Sequence, residues 1–270
     1  PGLSLMMENL SYALMTETPL VLVDIQRAGP STGQATRPSQ GDVMQVRWGA
    51  GSDYEIIVLA PWSVSEMYYE TVRAFNLAER FRVPVILLGD ESVGHLREKV
   101  EIAPELAVYT RVQEPGQSPF GGASVPPMPA FGQGAKLMVT GSTHDAQGYR
   151  RTSSAEAQQA LVERLAAKIS TCSQEIASSD LLLAEEQEID LLFIAYGMTS
   201  RSAYRAAQML RQGGLRAALL RLRTLWPFAE TAVRQVAPRA SRVLVPEMNR
   251  GQLLREVQRL IPSARGYHRT

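Results

Sequence analysis

The chain has one cysteine, Cys172, and three histidines, His95, His144 and His268, among its 270 residues. A single thiol excludes an intrachain disulfide and any four-thiolate zinc or iron-sulfur site built from this chain alone. A redox metal, where one is needed, has to come from a partner. The histidines lie in unrelated segments without ligand spacing, so they supply no metal motif. Charge of one sign is also missing: 28 Lys and Arg against 27 Asp and Glu leave a formal net charge of +1, with no basic excess to attract nucleic acid. No apolar run approaches the roughly 20 residues that cross a bilayer, and the first residues lack a charged segment followed by a signal-type apolar core. We therefore expect a cytoplasmic location and no membrane or nucleic-acid partner. G-x-G-x-x-G, G-x-x-x-x-G-K-[ST] and G-x-S-x-G are absent, which argues against common nucleotide sites and against a serine-elbow hydrolase.

What is present begins where an apolar strand stops. Leu20-Val21-Leu22-Val23-Asp24-Ile25-Gln26 runs into a polar stretch from Arg27 to Asp42 that carries three glycines and two prolines but no large apolar side chain. Such a stretch cannot anchor itself by core packing, and long irregular segments in α/β patterns are usually functional. It reads as a binding loop. Arg27 follows directly after the strand, at the carboxyl end, where open α/β sheets place ligands. Its guanidinium offers a rigid fork of donors that matches a carboxylate or phosphate. Thr36 returns a hydroxyl to the same ligand if Pro30 and Gly33 turn the loop back. The competing reading pairs Arg27 with Asp24 or Asp42 and makes it a loop pin.

Around this loop the chain alternates. Leu5, Met6, Leu10, Ala13 and Leu14 form an amphipathic helix with no strand before it, so we expect further sequence upstream of Pro1. Residues 54–60 read as a buried parallel strand, Ser63-Val64-Ser65-Glu66 as a capping box, Met67 to Phe81 as a helix, and Val83 to Asp90 as the next strand. The stretch 114–134 is rich in Pro and Gly and reads as a linker or surface excursion. Leu137 to Val139 suggests a short strand, and Ser153 or Ser154 caps a helix through Ile169. Strands at 189–196, 215–222 and 242–246 then alternate with helices at 200–212, through Val236, and at 252–261, predicting a parallel sheet of about three or more strands.

Other polar residues have local explanations. Asp90-Glu91 ends a strand and could act as acid, base or metal ligand, but Asp90 is better placed as a helix cap. His144 most simply hydrogen-bonds its own turn. The turn at Gly197 could offer backbone donors to an anion. Glu247 to Gln252 is a polar turn whose side chains either face a ligand or partner, or cap the last helix through Asn249.

Taken in order, Pro1-Gly2-Leu3-Ser4-Leu5-Met6, Gln26-Arg27-Ala28-Gly29-Pro30-Ser31-Thr32-Gly33 with Thr36, Val85 to Asp90, Thr140-Gly141-Ser142-Thr143-His144-Asp145, Leu225-Trp226-Pro227-Phe228 and Glu247-Met248-Asn249-Arg250-Gly251-Gln252-Leu253 resemble the alpha subunit of 2-oxoacid:ferredoxin oxidoreductases. The resemblance implies an α/β chain of three parts. These are the carboxyl-terminal portion of a pyrimidine-type thiamine diphosphate-binding domain (1–112), a linker, short strand and connecting helix (113–186), and a parallel α/β domain similar to the carboxyl-terminal domain of transketolase (187–270). It further implies oxidative decarboxylation of a 2-oxoacid to an acyl-CoA with electrons passed to ferredoxin. Thiamine diphosphate and Mg2+ would be shared with or held by a beta subunit, the iron-sulfur cluster would lie in a partner, and coenzyme A would be the co-substrate. Carried over by position, Arg27 binds the substrate carboxylate and Thr36 contacts the oxoacid. The glutamate that protonates the aminopyrimidine is expected upstream of Pro1. A non-catalytic scaffold subunit of the same fold, or the beta chain of a 2-oxoacid dehydrogenase complex, are the alternatives.

Overall fold

A computed structural model describes residues 2–114 and 116–268. Two five-stranded sheets organise the chain, with strand orders β2-β1-β4-β3-β8 and β10-β9-β6-β7-β5. Helix α1 (Gly2–Met15) buries Leu3, Leu10, Ala13 and Leu14 and leads into β1 (Leu20–Ala28). Here the structure corrects the sequence reading of an irregular loop. The chain turns at residues 29–33 and comes back as β2 (Gln34–Pro38), antiparallel to β1 with an irregular register at Arg27 and Ala28. The alternation of small and polar residues hid this strand, because β2 is exposed for most of its length and has no core-facing side.

Helix α2 (Val43–Trp48) and β3 (Ile57–Leu59) follow. The strand predicted over 54–60 is thus shorter than its apolar run, although residues 56–60 are all buried. Ser63 caps α3 (Val64–Phe81) by accepting from the Glu66 amide at 3.2 Å. Glu66 reaches back to the amide of Trp62 rather than that of Ser63. β4 (Pro84–Asp90) is buried throughout, lies parallel to both β1 and β3, and starts on a proline where no ladder donor is lost. Asp90 caps α4 (Glu91–His95) through the Val93 amide, as its local reading predicted.

The Pro/Gly-rich stretch is an excursion tied to the core. Arg82, which ends α3 in the left-handed region at φ 46°, buries its guanidinium and donates to the carbonyls of Pro119 and Pro126 at 2.6 and 2.8 Å. Phe120 and Met128 are buried beside it. The short strand expected at Leu137–Val139 does not form; the described backbone there is irregular, with one isolated bridge from His144 to Arg150. Ser154 rather than Ser153 caps α5 (Ala155–Ser170).

After α6 (Ser173–Ile176), the strand β5 (Ser179–Leu182) pairs antiparallel with β7 and opens the second sheet. β6 (Leu191–Ala195), α7 (Gly197–Gln212) and β7 (Ala217–Leu222) alternate as predicted. β8 (Thr224–Trp226) then crosses into the first sheet and pairs antiparallel with β3. α8 (Glu230–Val236), β9 (Val243–Glu247), α9 (Gln252–Leu260) and β10 (Arg265–His268) complete the chain. Because β8 bridges the two sheets, their interiors merge: Ile57 and Leu87 belong to the same buried cluster as Leu220, Leu222, Val245 and Val257. Burial of each such side chain contributes about 1.5–3 kcal/mol.

Candidate functional site

The carboxyl end of β1 borders a cleft of about 1110 Å³. Its walls are the first turn of α1, the end of β1 with the hairpin turn, the segment from Pro38 to Asp42, and the turn between β9 and α9. Arg27 lies in this wall. One of its nitrogens donates to the Thr32 carbonyl at 2.6 Å, which braces the hairpin turn. Arg27 forms no ion pair with Asp24, Asp42 or any other described residue, so the loop-pin reading by a carboxylate fails and the rest of the fork is open. Thr36 stands exposed in the middle of β2, outside the cleft wall. The structure therefore puts one of the two candidate substrate residues at the cleft.

Two polar residues that sequence reasoning gave no ligand role sit on the same strand. Gln26 is buried, donates to the Gly89 carbonyl at 3.3 Å and accepts from the Asp42 amide at 3.1 Å. Asp24 lines the cleft, and its Oδ2 is buried without a partner. Burial first, and then the neighbouring Asp42 carboxylate, push the Asp24 carboxyl up to about 7; burial likewise raises Asp42. Asp24 and Gln26, two apart on an otherwise apolar strand, were the available signal: polar residues that recur with strand period must find a use on one face.

Gln40 was also missed, and it joins the two sheets. Fully buried, it donates from its side chain to the Tyr196 carbonyl at 3.1 Å and from its backbone to the Met248 carbonyl at 2.9 Å. Its own carbonyl accepts from Asn249 at 2.7 Å and from the Tyr196 hydroxyl at 3.2 Å. The turn after β9 is thereby fixed against the segment that follows β2. Asn249 does cap, as one reading had it, accepting from the amides of Gly251 and Gln252; Glu247, buried, adds the amides of Leu253 and Leu254.

The remaining candidates lie apart from the cleft. His144 is buried, in contact with the Ser142 carbonyl at 2.9 Å and edge-on to Phe120, as its local reading had it. Asp90 accepts from the Met198 amide as well as from Val93, so that donor of the Gly197 turn is already engaged by protein. Cys172 is a half-buried free thiol beside Thr171. A second cleft of about 790 Å³ passes Arg47 and Trp226, but Arg47 is held by Glu55 and the Tyr54 carbonyl and Trp226 by the Val43 carbonyl. Among the described residues no three His, Cys, Asp or Glu converge on a metal position, and no helix is long and apolar enough to cross a membrane.

Comparison with known proteins identifies the lineage. The sequence pattern described as pyruvate flavodoxin/ferredoxin oxidoreductase, thiamine diphosphate-binding, matches residues 1–164. The chain belongs to that family. Residues 189–268 match pyruvate:ferredoxin oxidoreductase core domain II, so the expected α/β class with a thiamine diphosphate-binding first domain holds. The 2-oxoglutarate synthase subunit KorA of Methanothermobacter thermautotrophicus is 49% identical, over 96% of this chain and 70% of its own length. KorA of Methanocaldococcus jannaschii is 44% identical over 98% of this chain and 72% of its own. The ketoisovalerate oxidoreductase subunit VorB of Methanothermobacter thermautotrophicus is 32% identical, over 96% of this chain and 67% of its own. Among solved structures, 2-oxoglutarate:ferredoxin oxidoreductase from Magnetococcus marinus, with 2-oxoglutarate, coenzyme A and succinyl-CoA bound, superimposes with a TM-score of 0.87 at 28% identity. That match covers 100% of this chain and 48% of the other, so the chain spans about half of that protein. The family assignment makes the chain an oxidoreductase subunit and sets aside the dehydrogenase-complex beta chain.

Proposed function

We propose that this chain is the alpha-type subunit of a cytoplasmic 2-oxoglutarate:ferredoxin oxidoreductase, and that it supplies one wall of the oxoacid site. The observation that carries the reading is Arg27 at the cleft end of β1, with most of its fork unengaged. The substrate class follows from the ranking of relatives: two KorA subunits at 49% and 44% identity stand above VorB at 32%. A beta subunit, ferredoxin and coenzyme A complete the reaction, as the resemblance implies.

The cleft suits the organic part of thiamine diphosphate together with an oxoacid: it is roomy, and Asp24, whose Oδ2 is buried without a partner, stands in its wall. The diphosphate and its magnesium ion would be shared with or held by the beta subunit, as the resemblance implies. When bound, thiamine diphosphate would supply a nucleophilic carbon and a sink for the electron pair left by decarboxylation. Arg27 binds and orients the carboxylate that is to be lost. Its brace to Thr32 sets the side chain before substrate arrives, so less ordering entropy is lost on binding. Thr36 contacts the oxoacid only if the hairpin closes over the cleft, since it is exposed here on β2.

The test is oxoacid-dependent reduction of a viologen dye by the full-length subunit assembled with its beta partner. We expect turnover with 2-oxoglutarate and coenzyme A, weaker turnover with pyruvate and 3-methyl-2-oxobutanoate, and a large loss in Arg27→Ala. Removing a bidentate charged contact costs about 2–5 kcal/mol. Normal kinetics in Arg27→Ala overturns the role of Arg27; an assembled complex with no oxoacid turnover favours the scaffold reading.

A further inference from the structure

Arg250 stands in the same cleft as Arg27 but comes from the other sheet, on the turn between β9 and α9. They are the two cationic side chains that line the cleft among the described residues. The turn around Arg250 points its other polar side chains inward: Glu247 and Asn249 are buried and hold the α9 amides, while Arg250 is exposed. The α9 N-terminal amides from Gly251 to Leu254 are all engaged there, which leaves the guanidinium as the free cationic group of the turn. Arg250 has no ion pair or hydrogen bond with any described residue.

Its backbone is held on both sides. The Met248 carbonyl accepts from Ser39 at 3.1 Å and from the Gln40 amide at 2.9 Å; Asn249 donates to the Gln40 carbonyl at 2.7 Å; and Gln252 donates to the Gly41 carbonyl at 2.6 Å. A charged side chain without a partner, on a turn fixed this firmly and facing a cleft, is organised for a ligand rather than for the fold. The acidic neighbours in the wall, Asp24 and Asp42, are those whose carboxyls burial pushes upward, which moderates repulsion of an anion.

We propose that Arg250 is a specificity-determining residue that binds the distal carboxylate of a dicarboxylic 2-oxoacid while Arg27 binds the carboxylate next to the 2-oxo group. The inference rests on the 2-oxoglutarate reading above. Two separate guanidinium forks match a substrate with two carboxylates, whereas a monocarboxylic oxoacid leaves Arg250 without a counter-ion.

The experiment uses the assembled complex carrying Arg250→Gln or Arg250→Lys. For Arg250→Gln we expect kcat/KM for 2-oxoglutarate to fall about 30-fold or more, that for 2-oxobutanoate to stay within about twofold, and the KM for coenzyme A to hold. Arg250→Lys should recover part of the loss. Titration calorimetry with glutarate, which has both carboxylates but no reactive carbonyl, should show a matching rise in Kd. Equal losses on both oxoacids, unchanged 2-oxoglutarate kinetics, or a rise confined to the coenzyme A KM, which would assign Arg250 to a phosphate, each overturn the proposal. Wild-type complex that rejects 2-oxoglutarate while using monocarboxylic oxoacids overturns the underlying substrate reading, and the distal-carboxylate role with it.

Discussion

Lys168 Nζ stands 2.9 Å from Glu17 Oε2, with both side chains buried. Arg164 adds contacts of 2.5 and 3.0 Å to the same carboxylate, and Lys168 also donates to the Arg82 carbonyl at 2.8 Å. The group ties the end of α1 to α5 and to the end of α3, which packs on the first sheet. Burial alone would raise the Glu17 carboxyl, but Lys168, Arg164 and Arg82 outweigh it and hold the group at about 2. Glu17→Gln leaves the buried Lys168 and Arg82 and the half-buried Arg164 without their counter-charge, so we expect a loss of about 3–5 kcal/mol in urea unfolding.

The same carboxylate sets a limit toward acid. Its folded pKa of about 2 lies below the ordinary 4.5, so the unfolded chain takes up the proton first. The stability it contributes is present above the ordinary value and is lost as pH falls through it toward about 2. Wild-type melting temperature should therefore drop more steeply across that window than that of Glu17→Gln, and parallel curves would contradict the assignment.

Asp24 acts in the opposite sense. Burial and Asp42 raise its folded pKa to about 7 from 3.8, so the folded state holds the proton longer than the unfolded chain. Stability contributed by this group falls as pH rises from 3.8 through about 7. Asp24→Asn should melt higher than wild type at pH 8, with the gap closing by pH 4, as read by differential scanning calorimetry of the same complex.

Gly33 closes the hairpin turn at φ +49°, where an added Cβ would lie 1.9 Å from the Ala28 carbonyl oxygen. Gly33→Ala must move the turn that braces Arg27, at a cost of about 1–3 kcal/mol. Since the hairpin is exposed, melting should change by a few degrees while the oxoacid KM rises several-fold. A variant with normal KM would show that the brace from Thr32 does not position Arg27.

Gln40→Ala removes the buried amide shared by both sheets and leaves the Tyr196 carbonyl and the Met248 amide without that partner. We expect a loss of about 2–3 kcal/mol and faster hydrogen exchange in the β9–α9 turn than in β4. Uniform exchange across the two would contradict the role of Gln40 in fixing that turn.

How much was legible varies with the range of the interaction that decides each feature. β4, α3, β6, α7 and β7 appeared close to their observed bounds, because apolar runs and caps such as Ser63 and Asp90 act within a few residues. The exposed strand β2 was read as loop because it lacks a buried face. The strand expected at Leu137–Val139 failed for a related reason: a short apolar run needs a neighbouring strand to pair with, and none is offered there. Arg82 in the left-handed region gave no glycine signal; its burial depends on the carbonyls of Pro119 and Pro126, some forty residues away.

By itself the sequence determined the α/β alternation, the position of Arg27 at the end of an apolar strand, and the family through ordered motifs. Those are properties of neighbouring residues and of strand and helix period. Only the tertiary structure decided that β8 would complete the first sheet, that Gln40 would bond Asn249 across 209 positions, and that Arg250 would share a cleft with Arg27. Such contacts arise from the chain's return path and the packing of one core between two sheets, which no local pattern encodes.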